Sequence, residues 1–127
     1  MRMTNKEALK SEAAQELLRR HAEVCKALGS EQRGAIICAL RDRELTVGEL
    51  ADRLDLSIQH VSQHLRVLKD SRLVQARRDG RHVYYSVTNP KFFAACCLIR
   101  DALIEDHEAD GKGLAQAGRA LFGRRPA

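Results

Sequence analysis

The sequence predicts a mostly α-helical domain with one small β-hairpin, in the order α-α-α-α-β-β-α. Three observations lead there. Two helix starts lie close together between Leu45 and Lys69, in LTVGELADRLDLSIQHVSQHLRVLK. Just downstream, Asp79-Gly80 separates two strand-like runs, the strongest short signal for a hairpin. Stretches with apolar residues at three- and four-residue spacing flank this centre on both sides.

In chain order, the first helix is expected from about Lys6 to Ala27. Ala14, Leu17, Leu18, His21, Val24, Cys25 and Leu28 form its stripe, and Gly29 ends it. On that stripe His21 and Cys25 read as core residues. Ser30 caps a second helix, with Glu31 in the first turn where the helix dipole favours an acid. Ile36, Ile37 and Leu40 bury it. Gly34 lies inside it at a cost of about 1 kcal/mol relative to Ala, which close helix packing would explain.

Thr46 and Glu49 form a capping box that starts a short helix near Val47. Ser57 caps a longer helix through about Asp70, and only Asp55 and Leu56 remain for the turn. Two helices joined so tightly form a helix-turn-helix unit. On the second of them Ile58, Val61, Leu65 and Leu68 make one buried stripe. Gln59, Gln63 and Arg66 point the other way, flanked by His60 and Ser62. Gln and Arg suit bidentate contacts with adenine and guanine edges, and Ser57, His60 and Ser62 suit phosphates. An ordinary solvated face mixes charge signs, whereas Ser57 to Lys69 contains no Asp or Glu. Double-stranded DNA is therefore the expected partner.

Leu73 to Arg78 and His82 to Val87 are the two strands. The tip between them carries Arg77, Arg78 and Arg81, and a basic hairpin directly after a recognition helix reads as a wing lying along the DNA backbone. Asn89-Pro90 starts the last helix, expected from Lys91 to about His107. Phe92, Cys96, Ile99 and Leu103 form one row, and Phe93, Cys97 and Ile104 the adjacent one. This stripe is too wide for one small neighbour. The first helix has a similar surplus, so a two-fold homodimer through the terminal helices is expected. Residues 1–107 thus form a winged helix-turn-helix DNA-binding and dimerisation domain. Residues 108–127 carry four basic residues and no acid after Asp110, and read as a flexible basic tail in preference to a short helix around Leu114 to Phe122.

Composition bounds the rest. At 127 residues this is one domain with extensions, and 44% apolar content suffices for a core. Net charge of +5 favours an anionic partner. No run of 18 apolar residues exists and no apolar signal segment opens the chain, so a cytoplasmic protein with no membrane partner is expected. Cys25, Cys38, Cys96 and Cys97 are then reduced. No C-x-x-C occurs, which removes zinc-ribbon and thioredoxin-type chemistry. A thiol enzyme is the weakest reading, because Cys96 and Cys97 lie mid-helix with no His within a turn to lower a thiol pKa.

The segments KALGSEQRGAIICAL, ELTVGELADRLDLS, HVSQHLRVLKDSRLV and RRDGRHVYYSV resemble the ArsR/SmtB family of winged-helix repressors, over about Ala22 to Leu103. The resemblance implies a homodimeric repressor that releases its operator on sensing a metal, a metalloid or a thiol-reactive signal. Family members with a C-x-C site on the first helix of the helix-turn-helix differ from this chain, which has Thr46 and Gly48 there. The zinc-type site also departs: Asp101, Asp106 and His107 are present, but no second ligand group follows. Cys38 matches redox-sensing members, whose second cysteine falls near Ile104 here, about two turns beyond Cys96 and Cys97. Cys38, Cys96 and Cys97 are the candidate sensing residues, with a thiophilic ion or a reactive sulfur species or oxidant as inducer. Cys25 from the other protomer is a conceivable further ligand. The alternative is the same DNA-binding regulator with cysteines that only pack and no inducer.

Overall fold

The computed structural model describes residues 4–107 and 113–123, with the His107 side chain and the remainder of the tail outside the described residues. Helix α1 (Asn5–Lys10) is followed at once by α2 (Glu12–Leu28). The single long helix expected here is broken at Ser11, whose backbone is extended (φ −73°, ψ 146°). Its hydroxyl accepts from the Ala14 N–H at 3.1 Å and donates to the Ala8 carbonyl at 3.0 Å. A serine that satisfies the backbone locally competes with helix continuation. Thr4 and Glu7 cap α1 reciprocally, a second capping box in the chain.

Helix α3 (Glu31–Leu40) starts at the Ser30 cap and supplies Ile36, Ile37 and Leu40 to the centre of the core. Close packing does not account for Gly34, because a Cβ there would meet nothing within 4 Å, and nothing in the structure explains this glycine. Strand β1 (Leu45–Thr46) was not expected. It leads into α4 (Val47–Leu54), which ends on Asp55 in the left-handed region (φ 53°), and α5 (Ile58–Asp70) follows.

Strands β2 (Val74–Asp79) and β3 (His82–Val87) form the hairpin. The tight loop is Gly80-Arg81 between the paired Asp79 and His82, and Gly80 takes φ +62°, a value an L side chain rarely adopts. β1 pairs antiparallel with β3, Leu45 opposite Tyr85 and Thr46 opposite Tyr84, giving a three-stranded sheet in the order β1-β3-β2.

Helix α6 (Pro90–His107) contacts α3 and β3. Its inward residues are Phe93 and Cys97, with Phe92 and Cys96 half-buried, while Ile99 and Leu103 are more than half exposed. The last stretch of described chain is helical. α7 (Leu114–Phe122) packs on α3 and α6, so the flexible-arm expectation fails for these residues. Phe122 stacks on Phe93 with ring centroids 6.2 Å apart, the Arg100 guanidinium lies 5.0 Å over the Phe122 ring, and Arg41 donates to the Leu121 carbonyl at 3.2 Å. Gly118 lets α7 approach, because a Cβ there would sit 3.0 Å from Arg100 and Ile104 carbons.

Candidate nucleic-acid interface

Helix α5 is fixed from three sides. Val61, Leu65 and Leu68 are buried to 1% exposure or less against α3 and α4. At its start the Ser57 hydroxyl accepts from the His60 N–H at 3.1 Å, satisfying one donor the helix leaves open. That hydroxyl keeps its proton for an outside acceptor. At its end the Leu73 N–H donates to the Leu68 carbonyl, and Thr88 donates to the carbonyls of Arg72 and Leu73, which ties the hairpin to the helix.

What remains outward is the polar face. Ser57, Gln59, His60, Ser62, Gln63 and Arg66 are all exposed and lie on one helix or its cap. Ile58 does not join the buried stripe, however, and is 60% exposed. It occupies the first position of the helix and is not among the residues packed on the core.

On the hairpin the three arginines separate. Arg77 is held by Glu44 through two contacts, Nε to Oε2 at 2.9 Å and Nη2 to Oε1 at 3.0 Å, and its guanidinium lies 5.0 Å over the Tyr84 ring. The ion pair lowers the Glu44 pKa and raises that of Arg77. Arg78 and Arg81 are exposed and make no ion pair among the described residues. Glu44 stands one residue before β1, so the unforeseen strand is also what brings a carboxylate to Arg77.

Arg33 is a positioning residue that the sequence reading missed. Its Nε donates to the Ala27 carbonyl at 2.6 Å, and its Nη1 lies 3.5 Å from His64 Nδ1. One side chain thereby spans the C-terminal end of α2, α3 and α5. Burial first, then the nearby Arg33 charge, lowers the His64 pKa, which favours the neutral ring. Arg at the third position of a capped helix gave no signal, because its partners are 6 and 31 residues away.

The cysteines divide differently from expectation. Cys25 is exposed, not core, and so is His21, because α2 turns that side of its stripe outward. Cys38 and Cys97 are buried, Cys96 half-buried. Cys97, not Cys96, therefore sits deepest on α6. Burial, then Cys96 and Cys97 nearby, pushes the Cys38 thiol up to about 12. The Cys96 thiol is also raised, by burial and then by Cys97. Cys38 and Cys96 line an apolar cleft of about 720 Å³ between α3, α6 and α7. Among the described residues no three His, Cys, Asp or Glu side chains are gathered closely enough to hold a metal ion. The suggested three-thiolate set is thus not assembled within one chain.

These features match known proteins. The family model of arsR-family bacterial regulatory proteins covers residues 30–76, from the α3 cap into β2. The transcriptional activator HlyU of Vibrio cholerae is 40% identical over 74 residues, 58% of this chain and 68% of its own length. The HTH-type transcriptional regulator KmtR of Mycobacterium tuberculosis is 36% identical over 101 residues, 80% of this chain and 75% of its own. Among solved structures, the homodimeric winged helix-turn-helix DNA-binding domain of Mb0332 from Mycobacterium bovis aligns with a TM-score of 0.68 at 28% identity, covering 80% of this chain and 92% of that one. The capped helix pair, the hairpin tied to its second helix and these likenesses agree, and the chain belongs to the ArsR family of winged helix-turn-helix transcriptional regulators, which bind DNA and are not enzymes.

Proposed function

We propose that this protein is a sequence-specific transcriptional repressor that binds operator DNA as a homodimer. The observation that carries this reading is the outward face of α5, exposed and free of carboxylates from Ser57 to Lys69. Gln59, Gln63 and Arg66 have the donor and acceptor sets for base edges in the major groove, while Ser57, His60 and Ser62 serve phosphates. Arg78 and Arg81 supply wing charge. Arg77 braces the wing through Glu44 and contributes less to the DNA. The second protomer is expected on the apolar surface that α2 and α6 leave exposed at Leu17, Leu18, Ile99 and Leu103, and the homodimeric state of the Mycobacterium bovis neighbour supports a dimer.

For the cysteines, the packing role is favoured by the Cys38 pKa of about 12. A thiol at that value is almost wholly protonated at neutral pH, and the thiolate is the form that binds soft ions and attacks electrophiles. A second reading, release of the operator on a thiophilic or oxidising signal, is favoured by one observation: Cys96 is half-buried and shares an open cleft with Cys38. No described helix is long and apolar enough to cross a membrane.

The test is a footprint on DNA fragments selected by the protein. A dimer with one α5 per half-site protects two symmetric half-sites about 34–36 Å, or one helical turn, apart. A single protected half-site at saturating protein contradicts the dimeric reading.

A further inference from the structure

Ile58 is the most exposed apolar residue of α5, above Val67 at 39%. It opens the helix at 60% exposure, while Val61, Leu65 and Leu68 on the buried stripe are at 1% or less. No core contact asks for an apolar residue there. Helix propensity does not select it either, since β-branched residues rank below many polar ones. A single exposed apolar residue is ordinary on a surface. The position is what distinguishes this one. Ile58, Ser62 and Arg66 follow i, i+4, i+8 and form one exposed ridge, with Gln59 beside it.

In helix-turn-helix docking, the N-terminal residues of the second helix reach the base edges. The apolar feature on the floor of the major groove is the C5-methyl group of thymine. We propose that Ile58 is a specificity-determining residue that reads a thymine in each half-site through that methyl group. Contact removes both hydrocarbon surfaces from water without any hydrogen bond. Duplex DNA is the occupant that fits, because from Ser57 to Lys69 the exposed face of α5 carries His60, Arg66 and Lys69 and no acid. This inference rests on α5 being the recognition helix.

The experiment separates the two. Wild-type protein selects from a random-sequence duplex library. The tightest duplex is then resynthesised with each thymine replaced in turn by deoxyuracil, which lacks only the methyl group. At one thymine per half-site the replacement is expected to weaken wild-type binding by about fourfold, the equivalent of one buried methyl group. Ile58→Ala binds the thymine and uracil duplexes equally, Ile58→Val keeps a preference, and Gln59→Ala keeps the full ratio. Ile58 is exposed, so a thermal melt of Ile58→Ala matching wild type accompanies these values. An enriched duplex with no uracil-sensitive position overturns the role of Ile58 alone, as does an Ile58→Ala protein that retains the thymine preference. If wild type enriches no sequence, the recognition reading of α5 falls, and this inference with it.

Discussion

At Cys38, burial decides the chemistry. The side chain is 6% exposed among Ile36, Ile37 and Leu40 of its own helix, and its thiol is pushed up to about 12. On the packing account, Cys38→Ser sets a hydroxyl in an apolar site, and unfolding experiments are expected to show a loss of about 1–3 kcal/mol with DNA affinity retained. On the sensing account, Cys38→Ser and Cys96→Ser bind DNA normally but no longer release it when As(III), Hg(II) or persulfide is added. Measuring melting and release on the same two variants distinguishes them. The outward placement of Gln59, Gln63 and Arg66 on α5 was legible in the sequence. Their partners were not. Arg77 looked like Arg78 and Arg81 until a carboxylate 33 residues earlier came to lie 2.9 Å away.

The elements most readable from sequence were those with local causes. Thr46 with Glu49, Ser57, and Asp79-Gly80 each act within four residues, and α4, α5 and the hairpin start and turn where these signals stand. β1 escaped because two residues carry no periodicity and the strand exists only by pairing with β3 about 40 positions later. The break at Ser11 escaped because helix formers surround it and mask one capping hydroxyl. α7 was weighed against disorder on composition, and what anchors it is tertiary, chiefly Phe122 on Phe93 and Arg100. The wing makes its own prediction. Arg78→Ala and Arg81→Ala should each weaken binding to every duplex and reduce the slope of log K against log salt by roughly 0.9 per lost phosphate contact. Arg77→Ala should leave that slope nearly unchanged, since its charge already serves Glu44. Equal slope changes at all three arginines would show that the Glu44 pair opens on DNA.

Over the whole molecule, one buried core organises both working surfaces. Helix α3 supplies Ile36, Ile37 and Leu40 to that core and contacts α4 and α5 as well as α6 and α7, so the proposed DNA face and the exposed apolar faces rest on a common helix. Leu17, at 71% exposure, is joined on α2 by exposed Leu18, and Leu103, at 51%, is joined on α6 by exposed Ile99, an apolar surplus on each helix that a second protomer would cover. Leu17→Asp and Leu103→Asp are each expected to shift sedimentation toward monomer while circular dichroism stays native, because a charge is costly in an apolar contact. Unchanged sedimentation would move the dimer contact elsewhere. The central claim is that α5 reads base sequence, and the ratio of affinities for a selected duplex and a scrambled one at fixed salt tests it most directly. Gln59→Ala and Gln63→Ala are each predicted to weaken binding to the selected duplex by about 1–3 kcal/mol and to leave the scrambled duplex unaffected. A ratio equal to wild type in both variants would contradict it.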